Sequence, residues 1–139
     1  MKNPLLLVCF YFLGSATIQA QATPGVVFQK ICFQKAKEEA KLQRKHIFMN
    51  VYAVWCIPCK KLLRTTFQNA QLGSIFNQNF INLSIDAEKG EGISIAKKYG
   101  IKAHPYMLLL AADGKVLKRI IGYKTEKQLL DELKPFIIE

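Results

Sequence analysis

Acid is scarce in this sequence. Its 139 residues carry 10 Asp and Glu against 20 Lys and Arg, a formal charge of +10. An excess of base invites a polyanion, but here the bases are scattered among acids and form no stripe interleaved with aromatics, so no nucleic acid is expected. Acidic partners or a membrane surface are the milder implications. No glycine-rich phosphate loop is present. Internal repeats and low-complexity tracts are also missing, and the length suits one domain with one core. Metal-binding side chains are few, with two histidines and four cysteines. Cys56, Cys59 and His104 fall one short of the four ligands of a closed zinc site, and His46 starts a strand far from the motif. No metal is therefore expected.

Half of the residues are apolar, as in an ordinary folded domain. Residues 1–22 read as a secretory signal. Lys2 gives the positive start, Leu5 to Leu13 the apolar run, and Ala20-Gln21-Ala22 a small-x-small cleavage site. The run is too short to span a bilayer comfortably; the competing reading is an uncleaved anchor. Cys9 lies inside the run rather than after it, which argues against a lipoprotein. The expected organisation is a signal peptide, 1–22, and one domain, 23–139, exported and periplasmic or secreted after cleavage. Disulfides persist in such a compartment. The mature chain would keep Cys32, Cys56 and Cys59, an odd number. Cys32 is either a small buried apolar residue near a helix start or a third redox thiol.

Val26-Val27-Phe28 reads as a short strand. Phe33 to Arg44 has helical periodicity, with Phe33, Ala36, Ala40 and Leu42 inward. Ile47 to Val54 is apolar enough for a central strand covered on both faces, interrupted by Asn50. After Lys60, Leu62, Leu63 and Phe67 mark a helix that Thr65-Thr66 and Asn69 bend or end. Leu72 to Phe76 reads as a second short helical piece. Phe80 to Asp86 is a strand, and its Asn82-Leu83-Ser84 sequon is taken as chance on a buried element. Ala87 to Gly92 is a polar loop, followed by a helix with Ile93, Ala96 and Tyr99 inward that Gly100 closes. Met107 to Ala111 and Val116 to Ile121 read as an antiparallel pair around Asp113-Gly114. Thr125-x-x-Gln128 is a capping box for a last helix. The order gives an α/β fold: a mixed sheet with helices on both faces.

The chemistry centres on Trp55-Cys56-Ile57-Pro58-Cys59-Lys60. A strand that runs into Cys-x-x-Cys and turns directly into a helix is a redox arrangement. Free N–H groups at a helix start stabilise the thiolate of the first cysteine, and the thiolate is the nucleophile of disulfide exchange. The second cysteine is within reach to attack the mixed disulfide. Pro58 suits the first helical turn, where its missing N–H costs nothing.

This stretch resembles the active site of the thioredoxin superfamily, and the order of elements from about Val26 onward is similar too. His104-Pro105 falls where that family keeps a cis-proline beside its cysteines, and Gly122 where it has a glycine after the last strand. Exported bacterial thioredoxin-like proteins with an extra N-terminal strand and helix are the closest in pattern. The resemblance implies a thioredoxin fold and a protein thiol–disulfide oxidoreductase, with Cys56 as nucleophile and Cys59 as resolving thiol. The two would form a redox-active disulfide, with Trp55, Ile57, Pro58, His104 and Pro105 shaping the site and substrate groove. It implies no bound cofactor. Partners would be protein dithiol or disulfide substrates and a recycling thiol protein, membrane-bound or soluble; the protein itself is expected to be a monomer.

The sequence departs from that family at two positions, a buried charge pair. Six residues before the first cysteine, thioredoxins usually carry a buried aspartate that helps deprotonate the second. Here the residue is Asn50, and Asn82 stands where the lysine partner of that aspartate would align. An amide cannot accept a proton at neutral pH, so slower resolution is expected. His104 has two readings: a donor to the Cys56 thiolate that lowers its pKa, or a backbone that pairs with substrate while the ring faces solvent. The expected function is disulfide reduction in cell-envelope redox homeostasis. A disulfide oxidase or isomerase, and a non-catalytic binding module, are the alternatives.

Overall fold

The structure, a computed structural model, describes residues 24–138. The expected signal segment and Cys9 lie outside them. In order, the elements are α1 (Phe33–Gln43), β1 (His46–Tyr52), α2 (Ile57–Arg64), a 3-10 turn (Thr66–Gln68) and α3 (Ala70–Asn79). These are followed by β2 (Phe80–Asp86), α4 (Glu91–Tyr99), β3 (Tyr106–Leu110), β4 (Val116–Ile121) and α5 (Glu126–Leu133), with a closing 3-10 turn (Lys134–Phe136). The strands lie in the order β2-β1-β3-β4. β1 and β2 are parallel, while β3 is antiparallel to both β1 and β4. The mixed sheet of the sequence analysis is therefore present.

Side chains alternate across the sheet as the two-residue period requires. Ile47, Met49, Val51, Ile81, Leu83, Leu108 and Leu110 pack on one face with α1 and α4, through Phe33, Ala36, Ala40, Ile95 and Tyr99. Phe48, Phe80, Met107, Leu109 and Ile120 pack on the other with α2, α3 and α5, through Leu62, Leu72, Phe76, Leu129 and Leu133. Because both faces are covered, the central strands read as largely apolar runs, unbroken in β3 and interrupted in β1 only by Asn50. Edge-to-face rings reinforce the second layer, Phe48 against Phe76 at 4.8 Å and Phe76 against Phe80 at 5.2 Å between centroids, each pair worth roughly 0.5–1.5 kcal/mol beyond burial.

Several expectations are corrected. Among the described residues Val26-Val27-Phe28 forms no strand, although the extra helix, α1, forms. Residues 26–29 run extended, but their donors go in three directions: Val26 N–H to Phe67 O, Val27 N–H to Asn77 Oδ1 and Gln29 N–H to Asn82 O. A ladder to the β2 edge cannot form when only one of the three reaches it. β1 ends at Tyr52, and Val54 lies in the following turn. Leu42 and Ile93 are exposed rather than inward. In α4 the buried face is Gly92, Ile95 and Tyr99. A Cβ on Gly92 would lie 1.8 Å from Asp86 O, so only glycine lets this helix start so close to β2. Cys32 is exposed at the N-cap of α1, against the reading of a buried apolar residue. The sequon residue Asn82 is buried, as the sequence analysis supposed.

Candidate functional site

The site forms where the C-terminal end of β1 meets the start of β3. Antiparallel pairing sets Val51 opposite Tyr106, which brings the peptide before Tyr106 beside the chain leaving β1. That chain turns over Ala53, whose carbonyl accepts Cys56 N–H at 3.1 Å, and enters α2 at Ile57. Cys56 is the N-cap of α2. Its sulfur accepts Cys59 N–H at 3.2 Å, satisfying one of the free donors of the first helical turn. In the dithiol state the same donor would favour a thiolate at Cys56. Pro58 lies in that first turn, as its missing donor predicts.

Cys56 and Cys59 are joined by a disulfide. Both residues are almost wholly covered, at 3% and 2% exposure, and with Ala53 and Tyr52 they form a small apolar cluster of their own. Around them Val54, Trp55 and Ile57 stand out into solvent, Trp55 at 65% and Ile57 at 77%. The Trp55 indole N–H donates to Glu88 Oε1 at 2.9 Å, and Glu88 is itself fixed by its N–H to Asp86 Oδ1 at 2.9 Å.

The His104-Pro105 peptide is cis, as the resemblance implied. Pro105 is buried, and its carbonyl accepts Gly122 N–H at 2.9 Å. Gly122 has φ 82°, a left-handed conformation that glycine adopts without strain. This bond ties the turn after β4 to the loop before β3. The His104 ring packs edge-on against Trp55, with centroids 6.0 Å apart. Its Nδ1 is buried without a partner, and none of the hydrogen bonds found among the described residues links it to either sulfur. The structure thus brings Trp55, Cys56, Ile57, Pro58, Cys59, His104 and Pro105 together at one end of the two central strands.

Asn50 is fully buried on β1, on the α2 side of the sheet. Its Nδ2 donates to Ser84 Oγ at 3.3 Å, while its Oδ1 has no partner. Asn82 turns instead to Asn77, donating to Oδ1 at 3.2 Å. The side chain facing Asn50 is therefore Ser84, its register partner on β2, and not Asn82. No charged group takes part in these hydrogen bonds.

Sequence reasoning missed three residues here. Glu88 holds Trp55, Ser84 meets Asn50, and Arg119 on β4 donates through Nη1 to Tyr99 O at 2.8 Å and Tyr106 Oη at 3.1 Å. Arg119 thereby pins both ends of the loop that carries His104 and Pro105. Beyond Gly122, Tyr123 lies under the Lys61 ammonium, 4.6 Å from the ring centroid. Hydrogen bonding to Thr65, then to Thr66, draws the Tyr123 phenol below its ordinary pKa, and Lys61 adds to the effect. Among the described residues no cluster of three or more His, Cys, Asp or Glu is placed to hold a metal. A polar hollow of about 470 Å³ lies between β4 and α5, lined by Lys118, Lys124, Gln128, Asp131 and Glu132. It contains neither cysteine; the covered disulfide is flanked by the exposed rim of Val54, Trp55 and Ile57.

Residues 33–137 match the family model described as a thioredoxin-like domain. Among curated proteins, the chain is 30% identical to the thiol:disulfide interchange protein DsbD of Vibrio cholerae over 84% of its own length and 21% of that protein's. It is also 30% identical to the thiol-disulfide oxidoreductase ResA of Bacillus thuringiensis, over 72% of this chain and 68% of that one. The chain spans about a fifth of the length of the DsbD relative. Among solved structures, a putative disulphide-isomerase from Bacteroides thetaiotaomicron superposes with a TM-score of 0.73 at 36% identity. That match covers 83% of this chain and 94% of the other.

Proposed function

The chain belongs to the thioredoxin-like domain family, and from that premise we propose that it is a protein thiol–disulfide oxidoreductase that reduces disulfides of exported proteins. The observation that carries this reading is the Cys56–Cys59 disulfide at the start of α2, with Cys56 accepting the Cys59 N–H, beside the cis His104-Pro105 peptide.

In the reductive direction the protein begins as a dithiol. The Cys56 thiolate attacks one sulfur of a substrate disulfide, forming a mixed disulfide and expelling the other sulfur as a thiolate, which takes a proton. Cys59 loses its proton and attacks Cys56 Sγ. The second substrate thiolate leaves, and Cys56–Cys59 is left oxidised by two electrons. A thiol partner must then return those electrons, and no bound cofactor is required. Pro105 and the backbone of His104 line the path of an extended substrate, while Trp55 and Ile57 form its apolar rim. The export signal read at residues 1–22 supports a place in the cell envelope, where such substrates exist.

Insulin reduction tests the reading: the parent protein accelerates it, and Cys56→Ser abolishes the acceleration. A Cys56→Ser variant as active as the parent would remove the proposal. Cys59→Ser is expected to accumulate the mixed disulfide. A second reading, disulfide isomerase, is favoured by the name of the Bacteroides relative. Reactivation of a scrambled disulfide protein, faster than insulin reduction, would select it.

A further inference from the structure

Apolar side chains lie at the centre of the rim around the cysteines, and bases lie around it. Lys60, Lys61 and Arg64 follow Cys59 on the exposed side of α2, and Lys102 precedes His104 in its loop. Lys124 follows Gly122 but lines the hollow with Asp131 and Glu132 and is not part of the rim. These segments are tied to one another: Gly122 N–H to Pro105 O, Thr66 Oγ1 to Lys124 O at 2.6 Å, and Lys61 over the Tyr123 ring.

The nearby acids are engaged elsewhere. Asp86 accepts Glu88 N–H, Glu88 holds the Trp55 indole, and both carboxylate oxygens of Glu91 accept Phe33 N–H, at 3.0 and 3.1 Å. The ion pairs among the described residues join Lys35 to Glu38 and Glu39, Lys118 to Glu132, and Lys127 to Asp131. None includes a base of the rim. An exposed apolar centre whose surrounding bases on α2 and at Lys102 make no ion pair among the described residues has the anatomy of a docking surface for a partner of opposite charge.

We propose that the rim binds an acidic polypeptide, whose carboxylates flank the disulfide to be exchanged and meet Lys60, Lys61, Arg64 and Lys102. The proposal names the substrate class for the oxidoreductase reading above and rests on it. The central apolar patch, Val54, Trp55 and Ile57, takes the side chains next to the reacting sulfur. Glu88 leaves the Trp55 side of the rim acidic, so the partner's carboxylates lie over the α2 side. The contacts are solvent-exposed and long-ranged, so they speed encounter and weaken as salt shortens the Debye length.

The test uses two peptides of equal length, one with Asp and Glu around the reactive position and one with Lys. In a first pair serine replaces the cysteines, so that binding is read without exchange, through the fluorescence of Trp55, the sole tryptophan of the chain. The acidic peptide is expected to bind about tenfold more tightly at low ionic strength, with the ratio falling toward one at about 1 M salt, where the Debye length is near 3 Å.

Lys60→Glu with Lys102→Glu should remove the preference. Lys41→Glu with Lys134→Glu makes the same charge change at the opposite end of the sheet and should keep it. Equal binding of the two peptides, or loss of preference in the far-end pair, would overturn the proposal, the latter by assigning the effect to net charge. Binding of anionic vesicles that excludes the acidic peptide would reassign the rim to a lipid surface. The disulfide-bridged versions then separate the two claims. Selective binding without exchange removes the oxidoreductase reading alone; equal binding with normal exchange removes the acidic-partner proposal alone.

Discussion

Replacing Asn50 by aspartate would restore the group that thioredoxins usually carry six residues before the first cysteine, but without its lysine. Asn50 is fully buried, its hydrogen bond goes to the neutral Ser84, and the position that aligns with the lysine is Asn82. A carboxyl in such a place is desolvated with one weak donor and no cation, which lifts its pKa well above the free value of about 3.9. Below about pH 4 the acid is protonated in folded and unfolded chains alike, and the substitution is expected to cost little. Above about pH 4 the unfolded chain ionises, while the folded one does not until its raised pKa is reached. Stability then falls by about 1.4 kcal/mol per pH unit and levels off once the folded carboxyl ionises. Above that raised pKa the carboxylate that appears in the folded protein can take the Cys59 proton, so release of substrate from the mixed disulfide should quicken with rising pH. Urea unfolding at about pH 4 and pH 8, paired with stopped-flow of the resolving step, reads both effects. A stability loss equal at the two pH values, or a resolving rate that matches the parent throughout, would refute the reasoning.

Arg119→Met removes the donors to Tyr99 O and Tyr106 Oη. It is expected to lower stability by about 1–3 kcal/mol and to speed amide exchange in residues 100–104, leaving the far layer of α3 unchanged. Thr125→Ala breaks a capping box in which Thr125 Oγ1 and Gln128 Oε1 each accept the other residue's backbone N–H. Chemical denaturation should show a loss of about 1 kcal/mol with redox activity intact.

The motif, the cis-proline and the glycine after β4 were legible because each is a local signal or falls at a family position. Strand β2, Phe80–Asp86, and strand β4, Val116–Ile121, were read with their observed limits, and the Thr125 cap was found from two residues alone. The N-terminal strand failed for a physical reason. Val26 and Val27 favour strand locally, but Phe67 and Asn77, some 40–50 residues away, take their donors. Ile93 reads as core by hydropathy, yet the close approach of Gly92 to β2 turns a different face of α4 inward. Glu88, Ser84 and Arg119 leave no pattern in the chain. Each acquires its role through contacts 13–34 residues distant that exist only once the sheet is assembled.

The reductive direction is the central claim, and the reduction potential of the Cys56–Cys59 pair tests it most directly. The protein would be equilibrated in thiol–disulfide buffers of known poise and followed by the fluorescence of Trp55, which adjoins the pair. The account predicts a value near −270 mV, about that of thioredoxin; a value of about −120 to −180 mV, the oxidase and isomerase range, would contradict it.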